Sequence, residues 1–308
     1  MVDEIKTGQE VNKSWALSRH EWALCAITAI WGVTFLIVHQ AMLYSGPLFF
    51  VGLRFFLAAF LCALIFWRHL CALTLYECWA GMVIGASIFV GYGAQTAGLQ
   101  SVTSSQSAFI TALYVPIVPI LQWFFLKKRP SVTSWIGVFL AFIGLLFISG
   151  QGLGAIYFSE GEIWTLIGAV GVAFEIILIS LFSAKVDSRR VTIMQLFFGG
   201  LFSLIAMPFS GEAVPEFSWV WVWAAFSMAC ISALIQMIVN WAQQYVSPTR
   251  ATIIYAGEPV WAGVAGRVAG ERLGPLALLG AFFILLGILV AELRPSQWAT
   301  RKQAMEVE

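Results

Sequence analysis

Residues 100–129 read QSVTSSQSAFITALYVPIVPILQWFFLKKR, and residues 243–272 read QQYVSPTRATIIYAGEPVWAGVAGRVAGER. The second stretch echoes the first at one constant offset, the 143 residues that separate Pro116 from Pro259. In that register Gln100 pairs with Gln243, Ser104 with Ser247, Ala108 with Ala251 and Arg129 with Arg272, without a gap. The register runs on past the quoted stretches to Gly137 with Gly280 and Gly144 with Gly287. Chance supplies one or two such coincidences, not an ordered set. The chain therefore reads as an internal duplication.

The medium around this duplication follows from composition. Of 308 residues, 60% are hydrophobic and only 11% charged, and the mean hydropathy is +0.86. A soluble domain carries roughly 25% charged residues. Here the apolar runs reach the ~20 residues that a helix needs to cross a bilayer, whereas a membrane β-barrel would show short alternating strands. The expectation is an all-α membrane protein of ten spans, at about 21–43, 47–68, 77–98, 104–126, 132–150, 162–183, 191–210, 218–243, 248–269 and 274–293. The organisation expected is a tail over 1–20, a first five-helix repeat over 21–150, a second over 162–293 and a tail over 294–308. Five is odd, so the second repeat enters the membrane upside down.

Charge sets the direction. With the N-terminus in the cytoplasm, fourteen of the 17 Lys and Arg residues fall inside, only Arg267 and Arg272 fall outside, and Arg54 lies within a span. Cationic loops stay on the cytoplasmic side, so both termini are expected in the cytoplasm of a cell inner (plasma) membrane. The net charge of +1 suggests no nucleic acid or other bulk polyanion partner. The five cysteines, Cys25, Cys62, Cys71, Cys78 and Cys230, lack metal-ligand spacing, so no metal is expected. No phosphate-binding Gly-Lys loop, His-Glu-x-x-His or Gly-x-Ser-x-Gly occurs, and neither a cofactor nor an enzyme is expected.

The motif set resembles the drug/metabolite transporter superfamily, EamA type. The residues that carry the resemblance are Trp31-Gly32, Arg54 within GLRFFLAA, the stretch 91–121, KKRPSVTSWIGVFLAFIGLLFISG at 127–150, GEPVWAGVAGRVAGERL at 257–273 and the Gly280/Gly287 helix. The resemblance implies two inverted five-helix repeats around a central cavity. It also implies secondary transport, commonly export of amino acids or related compounds.

Ionisable groups inside a span are costly and usually face protein or water. Four stand out. Glu175 shares a helical face with Gly168 and Gly171, and Glu258 precedes Pro259; both are proton-coupling candidates. Arg54 reads as a structural charge, and His39, near a helix end, is expected to snorkel to the outer interface. Polar stripes are more informative. Ser104, Ser107, Thr111 and Tyr114 share one helical face, and so do Ser232, Gln236, Asn240 and Gln243. Tyr92, Gln95, Trp31 and Tyr255 would complete the wall of a substrate cavity, with Pro116 and Pro259 as matching kinks. The leading reading is an exporter that rocks two halves around a midplane site. A membrane enzyme acting on a lipid-linked substrate and a passive channel are the alternatives. The expected partners are a small-molecule substrate and the bilayer, with possible coupling to protons.

Overall fold

The computed structural model describes residues 18–127, 131–148 and 158–292, all helix, turn and loop. The expected tails, the cationic pair Lys128 and Arg129, and Ser149-Gly150 lie outside the described residues, apart from Ser18–His20 of the N-terminal tail. The helices are α1 (Arg19–Ala41), α2 (Pro47–Ile65), α3 (Trp67–Leu70), α4 (Leu75–Gly98), α5 (Ser104–Thr111), α6 (Tyr114–Leu126), α7 (Val132–Ile148), α8 (Glu160–Phe182), α9 (Ser188–Ala206), α10 (Trp219–Ala242), α11 (Pro248–Tyr255), α12 (Glu258–Val268) and α13 (Pro275–Glu292). A 3-10 turn over Met207–Ser210 closes α9.

Among the described residues, seven stretches are long and apolar enough to cross a membrane: α1, α2, α4, the α5–α6 pair, α8, α9 with its 3-10 turn, and α10. The bundle is apolar outside and polar within. Phe60, Phe139, Trp223 and Phe282 stand exposed on its surface, while Gln195, Ser107 and Thr252 are fully buried. Water would reject such a surface; hydrocarbon accepts it.

Local chemistry fixes the helix starts. Ser18 and Glu21 form a capping box on α1, and Ser159 and Glu162 form the same box on α8. Each Ser side chain accepts from the backbone N–H three residues on, and each Glu reaches back to the cap N–H. Two expected helices are interrupted, however. The stripe that should run unbroken from Ser104 to Tyr114 crosses a break at Ala112-Leu113, and the ninth expected span breaks at Ala256-Gly257. Pro116 and Pro259 have no N–H for the carbonyl four residues back, at Ala112 and Tyr255. The chain tightens instead: Val115 N–H bonds Ala112 O at 3.0 Å, and Gly257 N–H bonds Ile254 O at 3.2 Å. The two breaks have nearly equal dihedrals, with φ −62°, ψ −14° at Leu113 and φ −72°, ψ −18° at Gly257.

The helices α7 and α13 run antiparallel in close contact. A Cβ on Gly144 would sit 2.7 Å from Gly280 O, and one on Gly287 would sit 2.6 Å from Gly137 O. Small residues allow such backbone approach in membranes. Elsewhere α4 packs on α8 and α9, α2 on α9 and α10, and α1 on α10 and α12.

Polar groups seal both ends. At the end that holds the start of α1, Arg250 pairs with Glu21 at 2.5 Å and Arg190 with Glu77 at 2.7 Å. At the opposite end Glu212 accepts from the N–H groups of Leu48 and Phe49, and Gln106 donates to Glu162 at 2.8 Å. There too, Glu271 accepts from the N–H and hydroxyl of both Ser104 and Ser105, at 2.6–3.0 Å. Burial alone would push the Glu271 carboxyl up; the donors of Ser105 and Ser104 outweigh it and hold the group below its ordinary value of 4.5. Its contribution to stability is therefore present above that value and fades as pH falls through the folded pKa. Glu271→Gln is expected to lower the melting temperature in detergent at pH 7, by roughly 2–4 °C for each kcal/mol lost. The gap to wild type should close as pH drops below 4.5; a gap independent of pH would refute the charge-based reading.

Candidate functional site

Several buried polar and aromatic groups of the bundle gather beside the two helix breaks, where Tyr114 follows one and Tyr255 and Glu258 flank the other. Glu175, on α8, is 2% exposed. It reaches the interior because Gly168 and Gly171 let α8 close on Gly91 of α4, where a Cβ on Gly171 would lie 2.5 Å from Gly91 Cα. Its Oε1 accepts from Gln236 Nε2 at 2.7 Å. The same amide nitrogen lies 3.4 Å from the Tyr92 hydroxyl, and Gln236 Oε1 accepts from Gln195 Nε2 at 2.8 Å. Asn240 spends its amide on the Gln236 carbonyl of its own helix, at 2.9 Å.

Arg54 donates through Nε to Ser232 Oγ at 2.6 Å and lies over the rings of Phe55 and Tyr92, 4.8 and 5.3 Å from their centroids. Among the described residues no carboxylate pairs with it within 4.0 Å. The guanidinium is held by the Ser232 hydroxyl and by cation–π contacts rather than by an ion pair.

On the other side of the aromatic wall stands Glu258, 1% exposed, at the first turn of α12. Tyr114 donates to its Oε2 at 3.2 Å. Trp31 links the two regions: its ring stacks on Tyr92 at 6.3 Å and meets the edge of Tyr255 at 5.7 Å. The Trp31-Gly32 pair acquires a physical meaning here. A Cβ on Gly32 would fall 2.6 Å from Glu258 O, so only glycine lets α1 lie against α12 and bring Trp31 to the wall. Gln95 donates to Thr111 at 3.1 Å, and Gln243 Nε2 lies 3.2 Å from the Tyr255 hydroxyl.

Every expected cavity residue is thus buried; Glu175, Gln236, Gln195 and Tyr92 form one hydrogen-bonded group, and Tyr114 with Glu258 and Gln95 with Thr111 form separate pairs. The break at Ala256-Gly257 separates Tyr255 from the face that holds Glu258 and Ala262, so they share a region but not a helix. His39 does not simply snorkel: a ring nitrogen contacts Leu99 O at 2.9 Å and ties α1 to the end of α4. Sequence reasoning missed Gln195, which is fully buried and sets the direction of the Gln236 amide. The signal available was a lone amide within the apolar run VTIMQLFFGG (191–200).

Five atoms of the cluster are buried without a hydrogen-bond partner: Glu175 Oε2, Glu258 Oε1, Gln195 Oε1, Gln243 Oε1 and Ser107 Oγ. Each such atom costs on the order of 1–3 kcal/mol. A buried polar atom of this kind calls for a partner such as water, a proton or another polar group. Two voids lie elsewhere, one of about 500 Å³ between α4, α8, the start of α2 and Ser210–Glu212, the other of about 460 Å³ between α4 and α8, and no cluster residue lines them. Among the described residues no group of three His, Cys, Asp or Glu could hold a metal.

A helical, lipid-facing bundle around buried ionisable groups defines a polytopic membrane protein. The EamA-like transporter family matches residues 20–150 and, a second time, residues 159–293, and the chain belongs to this family. An uncharacterized transporter of Archaeoglobus fulgidus is 32% identical over 275 residues, 88% of this chain and 85% of the relative. Uncharacterized transporter YoaV of Bacillus subtilis is 25% identical over 276 residues, 87% of this chain and 94% of the relative. One solved crystal structure superposes with a TM-score of 0.65 at 14% identity, covering 90% of this chain and 98% of the other, a likeness of fold. The chain is a multi-pass membrane transporter.

The network makes a testable distinction within α10. Gln236→Leu removes the partner of Glu175 and Gln195 together, whereas Asn240→Leu removes one bond to the helix's own backbone. Gln236→Leu should cut transport at least tenfold at unchanged folded yield, about the loss expected when a charge-assisted bond is broken. Asn240→Leu should cost less. Equal loss of yield and activity in both, measured by size-exclusion chromatography and flux, would make the stripe packing alone.

Proposed function

We propose that this transporter is a secondary exporter of amino acids or related small metabolites, working by alternating access between two inverted five-helix halves, 21–150 and 162–293, in the cell inner membrane. The observation that carries the reading is the pair of helix breaks after Thr111 and Tyr255, one residue out of the 143-residue register and each just before its matched proline. Ten crossings follow if α7, α13 and the α11–α12 pair span beside the seven long stretches. The repeat is supported by contacts that exchange under it. Gly137 matches Gly280 and Gly144 matches Gly287 in sequence, while in space Gly137 meets Gly287 and Gly144 meets Gly280. A two-fold axis lying in the membrane plane generates that crossing. Left-handed dihedrals at Lys127 and Gly270, also one repeat apart, support the same axis.

Alternating access needs two gates and a flexible centre. The ion pairs Glu21–Arg250 and Glu77–Arg190 serve as the gate on the cytoplasmic side, where Arg19, Arg68, Lys185 and Arg189 also gather. Glu271 on Ser104 and Ser105, with Glu162 on Gln106, serves as the opposite gate. Opening either gate swings α5 or α11 about its break, and these short helices carry Ser107, Thr111 and Tyr255.

Glu258 is the proposed coupling group and Glu175 the second candidate. Each has one oxygen bonded and one unpartnered, which a proton can occupy in turn. Saturable flux of some solute from a metabolite panel into proteoliposomes is the decisive test; folded protein without any saturable flux would sink the proposal. Glu258→Gln should abolish transport driven by a pH gradient and preserve solute exchange. Full gradient dependence in that variant would move the coupling role to Glu175. Thiol labelling from outside should reach cysteines introduced near Ser45 and Gly211 but not near Arg189; labelling at Arg189 would overturn the orientation.

A further inference from the structure

The two voids beside α4 and α8 are continuous, since Val90 and Ile167 line both. Their walls run from Ala97 to Ala86 on α4 and from Trp164 to Leu178 on α8, about 17 and 21 Å of helix axis at 1.5 Å per residue. Together they make one groove along the two helices. Val90, Trp164 and Ile167 are 40–43% exposed, so the groove opens at the apolar surface that meets hydrocarbon. One leaflet of that hydrocarbon is about 15 Å deep. The groove thus has the length of a lipid chain that reaches from the polar boundary to the middle of the membrane.

A glycine makes part of the room. On α4, Gly81, Gly85, Gly91 and Gly98 each admit a neighbour so closely that a Cβ would lie 3.1 Å or less from it. Gly93 does not: a Cβ there would meet Leu48 at 3.4 Å and Phe89 at 3.9 Å, which is ordinary contact, and the space beyond is the larger void. The smaller void is apolar but for Ser87, whose hydroxyl is spent on Ile84 O at 2.7 Å. The opposite end of the groove is polar. Gln100 and Glu212 stand there, and among the described residues that line either void Glu212 is the only charged one. A Cβ on Gly46 would collide with the Glu212 carboxyl, so glycine at that position lets the carboxyl lie against the first turn of α2. Glu212 Oε2 accepts from Leu48 N–H at 3.0 Å and Oε1 from Phe49 N–H at 2.7 Å. A carboxylate oxygen has two lone pairs, so each keeps one for a further donor.

We propose that this groove holds one ethanolamine phospholipid, an acyl chain lying along α4 and α8 and the ammonium head donating to Glu212. Charge complementarity selects the head. An anionic lipid would bring a second negative charge to Glu212 where no lining residue is cationic, whereas an ammonium supplies both the opposite charge and the N–H donors. The phosphate stands between head and chain, where the amide of Gln100 serves as its donor. Such a lipid covers the edge of the α4–α8 contact, the contact that Gly91, Gly168 and Gly171 make tight and that carries Glu175 into the interior. The inference needs only the membrane placement of the chain and not the export reading.

Dioleoyl phosphatidylethanolamine and dioleoyl phosphatidylglycerol share chains and phosphate and differ in the head, which ends in an ammonium in the first and in hydroxyls in the second. Native mass spectrometry of delipidated full-length protein, titrated with each, should show one ethanolamine lipid retained. It should bind at least tenfold tighter than the glycerol lipid, the worth of about one charge-assisted hydrogen bond. Glu212→Gln should erase that difference. Gly93→Leu should fill the larger void and abolish the retained lipid at unchanged folded yield, because its Cβ meets only side chains at ordinary distance. Should Glu212→Gln fail to fold for want of its bonds to α2, the wild-type order and Gly93→Leu still decide. Glycerol lipid held as tightly as ethanolamine lipid overturns the proposal, and so does an ethanolamine lipid held unchanged by either variant. A dimer of the chain that Gly93→Leu splits would put a second copy in the groove and overturn it as well.

Discussion

A proline cannot donate a backbone hydrogen bond, and in hydrocarbon no water repairs the loss. That constraint acts twice in this chain, at Pro116 and Pro259, and much of the interior is arranged around it. Each proline tightens the turn before it and divides a membrane-length helix into two pieces. The local cost is offset because the first break, at Ala112-Leu113, is buried within protein and the second, at Ala256-Gly257, is partly buried, the setting in which irregular backbone survives at membrane depth. Around the two breaks stand Tyr114, Tyr255 and Glu258, groups that a continuous apolar helix would have no reason to bring inward.

Charge burial is the second half of the same economy. The bundle hides Arg54, Glu175 and Glu258 without pairing them as ions. It uses amides, hydroxyls and ring faces instead, which stabilise each charge while leaving oxygen atoms open. A fully paired arrangement would be more stable and inert. Incomplete satisfaction is what lets an interior exchange partners, and a transporter site must release what it binds.

The contrast between centre and ends follows the same logic. At the ends several carboxylates are capped or paired: Glu21 with Arg250, Glu77 with Arg190, Glu271 with four donors. These contacts join elements distant in sequence, and each is made of groups that water can satisfy equally well when it enters. Polar seals of this kind close a path firmly and open at small cost. An apolar plug would have to expose hydrocarbon to water in order to open.

The membrane character and the helical class were legible in the sequence, because each rests on a period or a bias summed over many residues. Single costly residues were legible too: Glu175, Glu258 and Arg54 stood out against their apolar surroundings for the reason that makes them expensive there. The same one-dimensional pattern said that Ser104, Ser107, Thr111 and Tyr114 share a helical face, and it ran that face through a break that Pro116 imposes. It gave Gln195 no role, since a lone amide acquires one only when α9 lies against α10 and presents it to Gln236. Nor did it reveal that Gly32 admits the backbone of Glu258, or that Glu271 closes the end of α5. Composition and period fix what each helix is, through the solvent that surrounds it. Which partner each buried polar atom finds depends on helix crossings, and those are set by close packing between residues far apart in the chain.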